Sequence, residues 1–125
     1  MKNKKQLTKA EYQVMDILWS LPGECGFIND ILKQYKDPKP AYTTLSTFLK
    51  ILKDKGFVKS MNVGKMLYFT PTVSRKEYTE NYMQEIKTKF FGGSLASLIS
   101  FFTEKEKLSE QEIDELVDII RKGKK

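Results

Sequence analysis

The chain has 125 residues, 40% of them hydrophobic and 30% charged, which suits one ordinary domain or two small ones with packed cores. It holds no histidine and a single cysteine, Cys25, so an internal disulfide is impossible and the commonest metal ligand and general base is missing. Zinc sites and histidine-based catalysis are therefore not expected, and the chain reads as neither an enzyme nor a cofactor protein, with no catalytic residue, no metal ligand and no small-molecule substrate to assign.

The net charge is +6, and the whole excess lies in residues 1–72, where 12 lysines face six acidic residues, while residues 73–125 balance 10 basic side chains against 10 acidic ones. Such asymmetry points to an N-terminal part that binds a polyanion and a charge-balanced remainder, although a basic excess also serves solubility alone. No apolar run approaches the roughly 20 residues of a membrane span, and the lysine-rich start leads into a charged amphipathic segment rather than a signal peptide. The expected location is the cytoplasm.

Taken in order, Thr8-Lys9-Ala10-Glu11 has the spacing of a capping box and opens a helix to about Leu21, with Tyr12, Met15, Leu18 and Trp19 at helical intervals and Pro22-Gly23 as the stop. A second, short helix is expected over Phe27–Tyr35, turning Ile28, Ile31, Leu32 and Tyr35 inward, with a brief strand at Cys25 and Phe27. The stiff connection Lys36–Pro40 leads into a third helix, Pro40–Gly56. Its apolar stripe is Leu45, Phe48, Leu49 and Leu52. Stepping about 100° per residue, Thr43, Thr47, Lys50 and Asp54 lie opposite, flanked by Thr44 and Ser46. A face of short hydroxyls and a lysine suits a DNA major groove, and it also suits an ordinary solvated surface.

After Gly56, two β-prone runs, Phe57–Met61 and Met66–Pro71, flank a Gly64-containing turn and predict a hairpin. Helix, helix, turn, helix and hairpin is the order of a winged helix-turn-helix. Lys65 then sits on the wing, placed to meet a phosphate; a lysine at a hairpin tip is also often merely solvated.

Ser74-Arg75-Lys76-Glu77 is a second capping-box spacing and opens a long helix to about Phe91, with Tyr78, Tyr82, Ile86 and Phe90 spaced four apart, before Gly92-Gly93. Leu95, Leu98, Ile99 and Phe102 mark the next apolar stripe, and a last helix opens at Ser109 with Ile113, Leu116, Val117 and Ile120. Three amphipathic helices in so short a stretch bury too little surface alone. Pairing with a second copy, a homodimer through these residues, resolves this; folding back onto the N-terminal part is the alternative. The fold expected is mainly α with a small β wing, residues 1–72 forming a winged-helix DNA-binding domain and 73–125 a helical dimerisation domain.

Four stretches, LTKAEYQVMDILW at 7–19, AYTTLSTFLKILKDKGFV at 41–58, LYFTP at 67–71 and GGSLASLISFFTEKEKLSEQEIDEL at 92–116, make the chain resemble the bacterial penicillinase-repressor family, which includes methicillin-resistance and copper-responsive repressors. The resemblance implies a dimeric winged-helix repressor of a palindromic double-stranded operator. It further implies release when a membrane-bound sensor metalloprotease signals and the repressor is cut. Carried over by position, Thr43, Thr44, Thr47 and Lys50 become groove contacts with Ser46 on the flank, and Ile51 stands where many members have arginine. The cut at an Asn-Phe bond in the family falls here on Ser100-Phe101, which keeps the phenylalanine but not the asparagine. Copper-responsive members end in a cysteine-rich motif, and this chain has no cysteine after Cys25, which excludes copper sensing through thiolates. The alternative function is a helical protein-interaction module that a basic domain localises on DNA without sequence preference.

Overall fold

The computed structural model describes residues 6–123. In chain order it contains α1 (Lys9–Ser20), a 3₁₀ turn (Pro22–Glu24), β1 (Gly26–Phe27), α2 (Ile28–Leu32), α3 (Tyr42–Asp54), β2 (Val58–Val63), β3 (Met66–Pro71), α4 (Arg75–Phe91), α5 (Leu95–Lys105) and α6 (Glu110–Gly123). The strands form one antiparallel sheet in the order β1-β3-β2, and β2 pairs with β3 from Val58 opposite Pro71 to Val63 opposite Met66. Three helices and a wing of this order are a winged helix.

Helix starts follow the predicted capping chemistry. The Thr8 hydroxyl accepts from the Glu11 N–H at 3.2 Å while the Thr8 N–H donates to the Glu11 carboxylate at 3.1 Å. Ser74 with Glu77 and Ser109 with Glu112 repeat the exchange at α4 and α6, so orphan donors are satisfied at three helix starts by the chain's own sequence. Gly56 takes φ 87° just past the end of α3, a left-handed conformation that costs glycine little.

The residues divide into two compact units, the first ending at Tyr82 and the second beginning at Met83. The first therefore extends past the 72/73 junction and takes in the opening turns of α4. The cause is aromatic packing: buried Tyr78 lies 5.9 Å from Phe57 and 6.0 Å from Trp19, ring centre to ring centre, and its hydroxyl accepts from the Leu7 N–H. The core of this unit is made by α1, α2, α3 and the sheet, with Val14, Met15, Leu18, Ile31, Leu45, Leu49, Leu52 and Phe57 fully enclosed.

Two expectations change in detail. Tyr12, placed on the inward stripe of α1, stays partly exposed against Trp19 and Tyr78, and Val14 is buried instead, because the aromatic cluster occupies the edge of the core. The second helix ends at Leu32 rather than Tyr35, although Tyr35 is still buried. The Lys39 ammonium folds back on its end, donating to the carbonyls of Leu32, Lys33 and Tyr35 at 3.3, 3.1 and 2.6 Å, and so serves acceptors at a helix end that no following turn of helix pairs.

Candidate nucleic-acid interface

Helix α3 lies across the first unit with Leu45, Leu49 and Leu52 in the core and Phe48 partly buried. That anchoring turns the other side of the helix to solvent. Thr43, Thr44, Thr47 and Lys50 are exposed there, and Ser46 is half-buried at the margin. The Thr47 hydroxyl donates to the Thr43 carbonyl at 3.0 Å. With its proton used inside the helix, Thr47 offers outward only acceptor lone pairs and a methyl group. Ile51 is half-buried beside this face.

Tyr42, the first residue of α3, is 48% exposed, and sequence reasoning passed over it. The signal was weak, since angular placement puts it roughly 60° from Leu45, on the inward side. The core does not reach that far along the helix, which begins at Tyr42 with Ala41 as its cap rather than at Pro40.

On the wing, Val63 opposite Met66 leaves a two-residue turn, Gly64-Lys65. Gly64 has φ 64°, and glycine at the first turn position lets a tight hairpin follow the strand twist. Lys65 is exposed at the tip. Neither Lys50 nor Lys65 takes part in an ion pair among the described residues.

Other cations of the basic unit are used within the fold. Lys55 is paired with Glu11 at 2.6 Å, Lys39 caps α2, and Arg75 is bonded to Asp16 and Ser20 while lying 5.4 Å from the centre of the Trp19 ring. These contacts leave the net surplus unchanged but engage three cations within the fold, whereas Lys50 and Lys65 are exposed. Among the described residues, no cluster of three Cys, Asp or Glu side chains could hold a metal ion, and no helix is long and apolar enough to cross a membrane.

In the second unit Leu98 is buried, Ile86, Ile99 and Leu116 are half-buried, and Leu95, Phe102, Ile113, Val117 and Ile120 are exposed. Phe90, on the predicted stripe of α4, and Ile119, which the sequence did not single out, are the most exposed large apolar side chains among the described residues. Tyr82 sits in the first unit, its ring 5.8 Å from that of Tyr78. Ser100 and Phe101 lie within α5, both exposed, with the Phe101 ring edge-on to Phe91.

The sequence model described as the penicillinase repressor matches residues 7–122, spanning the winged helix and all three C-terminal helices. The chain belongs to the penicillinase repressor family. It is 29% identical over 125 residues to a penicillinase repressor of Bacillus licheniformis, covering 99% of this chain and 96% of that one. It is 30% identical over 118 residues to the methicillin resistance regulatory protein MecI of Staphylococcus aureus (strain N315), covering 94% of each. A further relative, at 28% identity over 123 residues with 94% of this chain and 80% of the other covered, is an uncharacterized 16.5 kDa protein of Latilactobacillus sakei. Membership in this repressor family and the winged-helix fold agree on a DNA-binding transcriptional regulator.

Proposed function

We propose that the protein is a cytoplasmic homodimeric repressor that binds a palindromic operator, placing α3 in the major groove and the wing against the flanking backbone. The observation that carries this reading is the solvent face of α3, where Thr43, Thr44, Thr47 and Lys50 stand together on a helix pinned to the core by three fully buried leucines. Threonine methyls suit thymine methyls, the hydroxyl oxygens accept from base amino groups, and Lys50 reaches a guanine or a phosphate. Ser46 and Lys65 add contacts at the flank and on the wing.

Dimerisation through the second unit supplies the two-fold symmetry that a palindrome requires. The exposed apolar side chains of α5 and α6, from Leu95 and Phe102 to Ile113, Val117 and Ile120, support it, because so much exposed apolar surface on so small a unit is unfavourable in water. Sedimentation of the intact chain at micromolar concentration is expected to give a dimer.

Release from DNA follows cleavage at Ser100-Phe101 in response to a membrane-bound sensor metalloprotease. Both residues are exposed, but they sit inside a helix, so α5 must open locally before an extended substrate can enter a protease.

Competition between an operator selected from the organism's own genome and random duplex tests the DNA reading. Specific binding is expected to win by about a thousandfold or more, and equal competition would support an interaction module on a non-specific basic domain. Lys50→Ala and Lys65→Ala should each weaken binding and lower the slope of log K against log salt by about 0.9. Unchanged affinity in both variants would overturn the assignment of groove helix and wing.

A further inference from the structure

The stretch SLASLISF at 94–101 repeats one kind of peptide bond three times. Ser94-Leu95, Ser97-Leu98 and Ser100-Phe101 each put serine on the carbonyl side and a large apolar residue on the amine side. A protease that selects by these side chains meets three similar substrates, so the state of the backbone decides between them. Ser97-Leu98 and Ser100-Phe101 lie inside α5, and Leu98 is buried as well. Ser94-Leu95 is different. Ser94 is the N-cap of α5, with extended backbone at φ -95° and ψ 115°, and Leu95 beyond it is 54% exposed.

The approach to this bond is open. Gly92 and Gly93 take φ 58° and 82°, and no atom stands within 4 Å of the place where a side chain would begin at either. Two backbone bonds tie the link down, from the Gly93 N–H to the Lys87 carbonyl and from the Ser94 N–H to that of Phe91, both 2.9 Å long. A protease cleft takes an extended segment, and residues 92–94 provide one by releasing these two bonds rather than the ladder of a helix.

The same serine holds the start of α5. Its hydroxyl accepts from the Ser97 N–H at 3.0 Å, and its carbonyl accepts from the Leu98 N–H at 3.2 Å. Hydrolysis adds water across the Ser94-Leu95 amide: the C–N bond breaks, Ser94 keeps a carboxylate and Leu95 becomes an ammonium. Helix α5 then loses its cap, and a positive charge appears at the end that disfavours one. Its 11 residues are too few to stay helical on propensity alone.

We infer that a metal endoprotease selecting a large apolar residue on the amine side cuts first at Ser94-Leu95, and that this cut unwinds α5 and opens Ser100-Phe101 to a second. This rests on the reading that proteolysis releases the repressor, and it supplies the local opening that a cut inside α5 requires. Leu95 and Phe102 both stand on the surface assigned to a second copy, so pairing shields the two bonds together and leaves their order to the backbone.

The probe is thermolysin, a soluble zinc endoprotease with this preference, acting on the full-length protein under native conditions, with fragments identified by mass spectrometry. Within residues 83–125, a fragment beginning at Leu95 is expected first and one beginning at Phe101 only after it. Leu95→Pro blocks the first cut while suiting the fold, because proline is favoured at the first position of a helix and an extended residue is favoured before it. Cutting at Ser100-Phe101 should then slow roughly tenfold, although that bond is untouched. Leu95→Glu removes the apolar side chain and leaves the backbone unchanged, and it should slow the second cut in the same way. Circular dichroism and sedimentation check that each variant keeps the fold and association of the wild type. A first cut at any other bond of residues 83–125, or a wild-type rate at Ser100-Phe101 in a folded variant, would overturn the inference. Operator occupancy followed through the digestion separates the two readings. If it persists after residues 95–125 have left, release by proteolysis fails and the order of cuts stands; if it is lost on a first cut at Ser100-Phe101, the order fails and release by proteolysis stands.

Discussion

The Lys55 ammonium donates to the Glu11 carboxylate at 2.6 Å, joining the residue that ends the candidate recognition helix to the first turn of α1. Glu11 also accepts from the Thr8 N–H, so one carboxylate closes a capping box and anchors α3. Burial alone would push its pKa up, but the Lys55 bond and charge, with the Thr8 hydrogen bonds, hold it below the ordinary carboxylate value. A folded-state pKa below that of the unfolded chain means stability that is present above the unfolded value and lost as pH falls through the folded one. Glu11→Gln should flatten the acid side of the stability profile in urea titrations. It should also cost about 1–3 kcal/mol at neutral pH, since Lys55 is left without its charged partner.

Lys39 is a structural cation. Its ammonium holds three carbonyls at the end of α2, and Lys39→Met should lower stability by about 1 kcal/mol in urea unfolding. In operator titrations across salt concentration, the slope should stay at the wild-type value, because no phosphate contact is lost. A slope reduced by about 0.9 would place Lys39 on the DNA instead.

The root of α4 offers a comparison of two interactions of different worth. Arg75 and Asp16 are each nearly half exposed, so Arg75→Ala should cost no more than about 1 kcal/mol. The Trp19 indole N–H donates to the buried Val73 carbonyl at 2.9 Å, and Trp19→Phe strands that carbonyl at a cost of about 1–3 kcal/mol. Thermal or urea unfolding should therefore rank the tryptophan variant as the less stable of the two.

Leu49 is fully enclosed beneath the candidate groove face of α3. Leu49→Ala should cost about 2–5 kcal/mol, through lost transfer energy and the cavity left behind. A loss under about 0.5 kcal/mol in urea unfolding, the range of an ordinary surface substitution, would contradict the inward face.

What the sequence determined by itself was everything governed by neighbours a few residues apart. The Leu45, Leu49, Leu52 stripe and the exposed Thr43, Thr47, Lys50 face follow from helical periodicity, and the capping boxes at Thr8 and Ser74 follow from a three-residue spacing, so both could be read directly. The wing followed from two β-prone runs around Gly64. Tertiary structure decided what depends on residues brought together from far along the chain. Lys55 meets Glu11 across 44 residues and Arg75 meets Asp16 across 59, so only the fold separates the lysine and arginine engaged in such pairs from the cations left exposed, such as Lys50 and Lys65. Tyr78 joins the first core for the same reason, and only the strand register sets Met66 beside Val63 on the wing. Local spacing defines a face; burial and long-range pairing determine which of its groups remain available to a partner.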